Sequence, residues 1–366
     1  MLVGSLFMAG CESVGYYHQA AMGQWQLLSQ RQPVAEILQQ SDLDPQLRQR
    51  LRLSVAVLDH ARDNLGIDAE GRYRQYVDLS RDYVVWNVFA APELSLSPEQ
   101  WCYPVVGCAP YRGYFAESAA HRKASQLAAQ GLETYVGGVP AYSTLGWFDD
   151  PLLSTFINWP EADFVQLLMH ELAHSRVWVS GDVAFNESFA EFVGLQGAKM
   201  FYTERGKPDA WQRYLHNRAA WRVFRQFLLD AKVYLEQVYA NSATPQAKLT
   251  AYQQIRACYA DHHAQLGGGR FDQVMDELNN AYLVSIGTYS DWIPGFRVLF
   301  AQADQDWPRF FTAVDELAEL PQRAREEALT RLVSQDQVGH GTDHHDPKQI
   351  QCKAFSDHTL NLDAPS

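Results

Sequence analysis

The chain has 366 residues, with 30 Lys and Arg against 43 Asp and Glu, a net charge of −13 and 47% hydrophobic residues. That balance argues against nucleic acid or an anionic membrane face as a partner, and no stretch after residue 11 reaches the roughly 18 uninterrupted apolar residues of a membrane span. The length is enough for one sizeable core or two packed lobes.

The first eleven residues, Met-Leu-Val-Gly-Ser-Leu-Phe-Met-Ala-Gly-Cys, form a short apolar run. Its end, Ala9-Gly10-Cys11, resembles the processing site of bacterial lipoproteins. It implies a signal segment over 1–11, a lipidated Cys11 and a periplasmic protein anchored by that lipid to a membrane, the outer membrane by preference. The run is shorter than a usual secretory core and carries no Lys or Arg, so the other reading is an apolar N-terminal helix with a buried cysteine.

Helical spacing of apolar residues follows over Tyr16–Ser29, Val34–Leu38 and Leu47–Leu58, with Ser41 and Asp42 as capping-type residues between. From 72 to 150 the chain is richer in Tyr, Val, Trp and Gly. Short apolar pieces such as Tyr83-Val84-Val85-Trp86 read as strands, with a helix near Ser118–Gln130. Cys102 and Cys108 are spaced to close a small loop in an oxidising compartment, which predicts a disulfide. Cys258 and Cys352 are too isolated to pair from sequence. Tyr135–Tyr142 reads as a strand interrupted by Gly137 and Gly138. It is either an edge strand that lets a substrate backbone approach or a hairpin with Gly-Gly at its turn.

The next helix carries the chemistry. Pro160 suits its first turn, with Glu161 and Asp163 at the positive end of the dipole, and Phe164, Val165, Leu167, Leu168, Leu172 and Ala173 repeat at helical spacing. Within it, His170-Glu171-Leu172-Ala173-His174 puts two imidazoles one turn apart on one face with a carboxylate beside them, the spacing of two zinc ligands and a general base. Ser180-Gly181-Asp182 is a helix stop followed by an N-cap. Folded antiparallel around that turn, the following Asn186-Glu187-Ser188-Phe189-Ala190-Glu191 sets Glu187 level with His174 and Glu191 level with His170. Glu187 can complete the zinc site, and Glu191 can hold the outer ring nitrogen of His170. The pattern stays mostly helical to about Leu332, with a break at Gly267-Gly268-Gly269. The tail, with His340, His344, His345 and His358, lacks periodicity and reads as structureless.

HELAH followed by NESFAE resembles the glutamate-zincin metallopeptidases, whose pattern is HExxH and then NExxx[DE]. The resemblance implies His170, His174 and Glu187 as ligands of one zinc ion, Glu171 as base and Glu191 as the carboxylate behind His170. The interval from His174 to Glu187 is shorter than in the well-known members, so the turn must be tight. Residues 83–96, 101–115, 135–155 and 279–296 are similar to a bacterial aminopeptidase family, a resemblance that spans nearly the whole chain.

The fold implied is α+β, mainly helical and zincin-like. A mixed α/β lobe over 12–159 precedes a helical lobe over 160–335, the zinc helix lies at their junction, and a His-containing tail covers 336–366. The function implied is zinc-dependent hydrolysis of peptide substrates, with Tyr289, in a family-like segment, as donor to the oxyanion and Tyr282, His262 or His263 behind it. A free α-amino group would need acidic residues near the cleft, for which Glu117, Glu133, Asp149 and Asp150 are unranked choices. The competing readings are a catalytically idle lipoprotein that binds a peptide or partner and a zinc amidase acting on cell-wall material.

Overall fold

The computed structural model describes residues 3–103, 107–141, 149–286, 292–339 and 350–356. Helix α1 (Val3–Ser29) leads into a short strand β1 (Gln32–Pro33), a single turn α2 (Val34–Ile37) and helix α3 (Pro45–His60). Asp44 caps α3 by accepting from the Leu47 amide at 2.8 Å, in place of the expected Ser41 and Asp42, because Pro45 takes the first helical position. Strands β2 (Gln75–Val77), β3 (Val85–Pro92), β4 (Trp101–Tyr103), β5 (Gly107–Ala109) and β6 (Arg112–Tyr114) follow. Then come helix α4 (Glu117–Ala128), strands β7 (Leu132–Val139) and β8 (Leu152–Leu153) and the turn α5 (Ser154–Ile157).

The remaining described elements are helices: α6 (Glu161–Arg176), α7 (Val183–Glu204), α8 (Pro208–Asn241), α9 (Pro245–Asp261), α10 (Asp272–Glu277), α11 (Asn280–Ser285), α12 (Ile293–Gln302), α13 (Trp307–Glu319), α14 (Gln322–Gly339) and α15 (Lys353–Ser356). The chain is therefore mainly helical with small sheets, the α+β class read from its sequence. Gly267, Gly268 and Gly269 all take positive φ between α9 and α10, which is why the helical pattern breaks there.

The described strands make two three-stranded sheets, β1–β2–β8 and β6–β3–β7, and the hairpin β4–β5. Strand β7 pairs antiparallel with β3 along its whole length, through Gly137 opposite Asn87 and Gly138 opposite Trp86. The hairpin reading of the Gly-Gly pair is thereby excluded, and β7 stands at the edge of its sheet. Tyr142, the last residue of that expected strand, lies outside the described residues. Cys102 and Cys108 face one another across β4–β5 and form the expected disulfide.

Three apolar cores organise the described residues. The first packs Leu51, Val57, Val77, Leu152 and Phe156 with Phe164, Leu168, Leu172, Phe185, Phe189, Phe296 and Phe310, so α6 and α7 share a core with elements from both sides of residue 159. The second gathers Phe224, Phe227, Leu235, Ile255, Phe271 and Leu283 around α8, α9 and α11, together with Ala91 of β3. Helix α8 belongs to both, since its Trp211 and Tyr214 lie in the first. The third holds Trp86, Val88 and Ala90 of β3 against Ala120, Ala124 and Leu127 of α4.

The tail differs from expectation. Helix α14 runs to Gly339, Ile350 and Cys352 are buried, and Cys352 is bonded to Cys258 of α9. A structureless segment from 336 therefore does not hold for 336–339 or 350–356, because a disulfide and the second core fix what composition alone could not reveal. His340, His344, His345 and His358 lie outside the described residues.

Candidate metal centre

Helix α6 begins after Pro160, which is the N-cap rather than a first-turn residue, and buries Phe164, Val165, Leu168, Met169, Leu172 and Ala173. Three local devices set α7 against it. Gly181 takes φ 81°, which a side chain would resist, and Asp182 caps α7 by accepting from the Phe185 amide at 3.0 Å. Asn186, fully buried, accepts from the Val179 amide and donates to the Val179 carbonyl, both at 2.8 Å. This one side chain satisfies both backbone groups of the tight turn, and so the asparagine of the NESFAE string has a structural role. Further along, Gly194 lets the helices approach: a Cβ there would come within 3.0 Å of the Gln166 carbonyl and 3.1 Å of the His170 Cβ.

That packing brings the metal candidates together. His170 Nε2 lies 3.3 Å from a Glu187 oxygen, His174 Nε2 lies 3.7 Å from the other, and the two Nε2 atoms are 3.2 Å apart. Among the described residues, His170, His174 and Glu187 are the only cluster of three metal-ligating groups, with one donor atom from each within 4.8 Å of the others. His170 Nδ1 faces Glu191 at 3.4 Å. That contact holds a proton on Nδ1, so a metal that displaced the Nε2 proton would find Nε2 facing His174 and Glu187, the arrangement a metal ligand needs.

Glu191 is itself held by residues that carry no motif. Arg218 of α8 donates to one of its oxygens and Gln166 to the other at 2.9 Å, while a second Arg218 nitrogen donates to the Tyr214 hydroxyl at 2.7 Å. Sequence reasoning misses Arg218, Gln166 and Tyr214, because their spacing to the motif is fixed by how α8 packs.

The electrostatics follow the contacts. Burial opposes a charge on His170, but hydrogen bonds with Glu187 and Glu191 and the fields of Glu171 and Glu191 raise it to about 10. Burial and then the His170 charge hold His174 down at about 4. Burial pushes the Glu187 and Glu191 carboxyls up, yet bonds from His170 outweigh it. Glu187 ends below the usual carboxylate range, and Glu191, also beside Arg218, ends at about 2. Glu171 makes no such bond. Burial pushes it up to about 7; the His170 charge pulls it back, and the Glu187 and Asp150 charges push with burial. One carboxylate beside the donor set is thus poised near neutrality, and two are fixed as anions.

The other named residues separate. Tyr289 lies outside the described residues. Tyr282 packs its ring on Tyr135 at 4.7 Å, His262 Nδ1 faces the Cys258 carbonyl at 3.0 Å, and His263 faces Asp272 at 3.0 Å. Of the acidic choices, Glu117 pairs with His121 at 3.8 Å, Glu133 is held by Lys248 and the Asn280 amide, and the Asp149 carboxylate lies against Gly71. Asp150, 3% exposed, accepts from the Tyr73 amide through its backbone carbonyl at 2.7 Å, and its side-chain charge reaches Glu171. One aromatic adjoins the centre without a sequence signal: Trp178 sets its ring edge-to-face with His174 at 5.5 Å. Burial, and then the Glu187 charge, pushes the Tyr111 phenol up.

No curated protein matches the chain, and no solved structure does. The model of a family described as "putative aminopeptidase" matches residues 15–329, which take in every element from α1 into α14. The chain belongs to that peptidase family.

Proposed function

We propose that the chain is a zinc-dependent aminopeptidase of zincin-like fold. The observation that carries this is the juxtaposition of two imidazoles and a carboxylate, their donor atoms within 4.8 Å, with a carboxyl near neutrality on the same helix turn.

The donor set fits zinc. It comprises two nitrogens and one oxygen, it contains no cysteine, and Glu191 turns His170 Nε2 inward. When bound by His170, His174 and Glu187, zinc would supply Lewis acidity to a peptide carbonyl and to the attacking water. Glu171 takes the proton of that water and delivers it to the leaving amine, a role suited to a carboxyl that titrates near 7. Glu191 and Arg218 keep His170 oriented. Tyr289 is the proposed donor to the oxyanion, and Tyr289→Phe with unchanged turnover would remove it from the mechanism.

A lipidated Cys11, anchoring the chain in the periplasm, is part of the same proposal. Helix α1 is compatible with it: of its 27 residues only Glu12 carries a formal charge, and Tyr17, Met22 and Trp25 are exposed. Mass spectrometry of the mature N-terminus tests this, since an unmodified Met1 sinks it.

The deciding experiment compares peptide hydrolysis by the purified protein and by Glu171→Gln, with metal content read on both. Zinc near one per chain in each, with turnover only in the former, is the expected result. Equal cleavage of N-acetylated and free peptides would restrict the proposal to an endopeptidase. Zinc in neither protein would mean that His170, His174 and Glu187 are not its ligands.

A further inference from the structure

Residues 177–182 join α6 to α7, and the chain is gripped by α13 and α14 at both ends of that link. At the far end Asp182 divides its carboxylate between two tasks. One oxygen caps α7 by accepting from the Phe185 amide at 3.0 Å. The other accepts from Arg325 of α14, from Nε at 2.9 Å and from Nη2 at 2.7 Å. The remaining Arg325 nitrogen, Nη1, donates to the carbonyls of Ala318 and Leu320, where α13 ends, at 3.2 and 2.7 Å. The guanidinium also lies over the Phe185 ring at 5.2 Å. Both charged side chains are sealed from water, Arg325 being 4% exposed and Asp182 7%.

At the near end Arg176, in the last turn of α6, makes a two-pronged pair with Asp315 of α13 at 3.0 and 2.7 Å. It lies over the Phe311 ring at 4.9 Å. This second pair is half-exposed and so holds less firmly.

We propose that α13 and α14 form a clamp that sets the separation of the metal ligands, with Arg325 as its main positioning residue. The inference rests on the reading of His170, His174 and Glu187 as a metal centre and adds residues that carry no motif. A buried ion pair gains little over apolar packing in net stability, but it tolerates little displacement, because a shift leaves charge unpaired in a low dielectric. What this pair fixes is the first turn of α7 against the end of α13, while Arg176 fixes the last turn of α6 against the same helix. His174 lies in that last turn of α6 and Glu187 early in α7, with His174 Nε2 and a Glu187 oxygen 3.7 Å apart. A slip of one helix end against the other changes that separation directly. Arg325 acts on the donor atoms only through the helices, which makes its role one of positioning.

The test is zinc affinity by chelator competition, read at a temperature where circular dichroism shows each protein folded. Arg325→Met is expected to bind zinc about tenfold more weakly, the lower end of the usual cost of losing a partner behind a metal ligand. The visible absorption of bound cobalt(II), which reports ligand geometry, should shift with it. Asp182→Asn keeps an oxygen to cap α7 and should lose a similar factor, and the double variant should lose no more than either. Ile255→Ala, a cavity in the second core, should leave zinc affinity and the cobalt spectrum as they were. Unchanged affinity in Arg325→Met, additive losses in the double variant, or an equal loss in Ile255→Ala would overturn the clamp. If Arg325→Met fails to fold, the double variant, which buries no unpaired charge, and Arg176→Met, expected to show a smaller loss, decide the matter. Full affinity in both would overturn it. No zinc in the unsubstituted protein would overturn the clamp and the metal reading together, whereas stoichiometric zinc untouched by Arg325→Met would overturn the clamp alone.

Discussion

The α6–α7 pair and the α8–α9–α11 bundle are both helical and closely packed, yet they are specified in different ways. In the first pair the interactions that matter are a turn or two apart or mirrored about Gly181: Asp182 to Phe185, Asn186 to Val179, His170 to Glu187 and Glu191. In the bundle they are remote. Asn280 donates to the carbonyls of Pro92, Glu93 and Ser95 and accepts from Tyr239 and Tyr252, while Cys258 is bonded to Cys352. A site that must hold several donors to fractions of an ångström sits where local chain geometry does most of the positioning. The bundle supplies a rigid backing and one long arm, Arg218.

The sharpest way to break that contrast is to remove a donor. His170→Ala should abolish stoichiometric zinc and all turnover while the bundle stays folded, read by metal analysis and circular dichroism. Loss of the bundle with the metal would show that the two regions are one cooperative unit. Next in size is Arg218→Met. It should weaken zinc binding about 10- to 100-fold, the usual cost of losing a partner behind a metal ligand, as measured by competition with a chelator. An unchanged affinity would make Arg218 a packing residue only.

Two changes probe the stability of each region. Replacing Cys258 and Cys352 by Ser should cost about 2–5 kcal/mol in denaturant unfolding, because the bridge closes a long loop, with zinc affinity unaltered. Asn186→Ala leaves both backbone groups of Val179 without their buried partner and should cost about 1–3 kcal/mol, with a parallel loss of zinc affinity that the cysteine variant lacks.

A further effect is on pH. With metal removed, His170 titrates at about 10 against an ordinary 6.5. A raised value stabilises the fold fully below about 6.5, and that contribution is lost as pH climbs towards 10. Chelator-treated protein should therefore melt at lower temperature at pH 10 than at pH 6. His170→Gln should flatten the difference, and zinc binding at pH 7 should release a proton to buffer.

What could be read from the chain follows the same division. The α6 and α7 helices, their turn and the donor set are encoded by spacing of a few residues, as is the Cys102–Cys108 hairpin. The strand β7 was legible, but whether Gly137 and Gly138 made a turn or an edge depended on β3, some fifty residues earlier. Capping by Asp44 was missed because Pro45 decides where α3 starts. Arg218, Trp178, Tyr111 and the Cys258–Cys352 bond carry no local signature, since each depends on how distant segments meet. The buried Ile350 and Cys352 were hidden in a polar, aperiodic stretch for the same reason.

The Cys258–Cys352 bond also sets an order of assembly. Residues up to 339 include every helix of the first core, and the metal hairpin needs nothing beyond them. The second core lacks Ile350 and Cys352 until residue 352 has been made, and its covalent tie to α9 waits for an oxidant. A chain cut short in the tail, or kept where thiols stay reduced, would therefore keep His170, His174 and Glu187 in register while losing the bolt on the bundle that backs them, so tolerance to reductant and loss of the proposed activity need not move together.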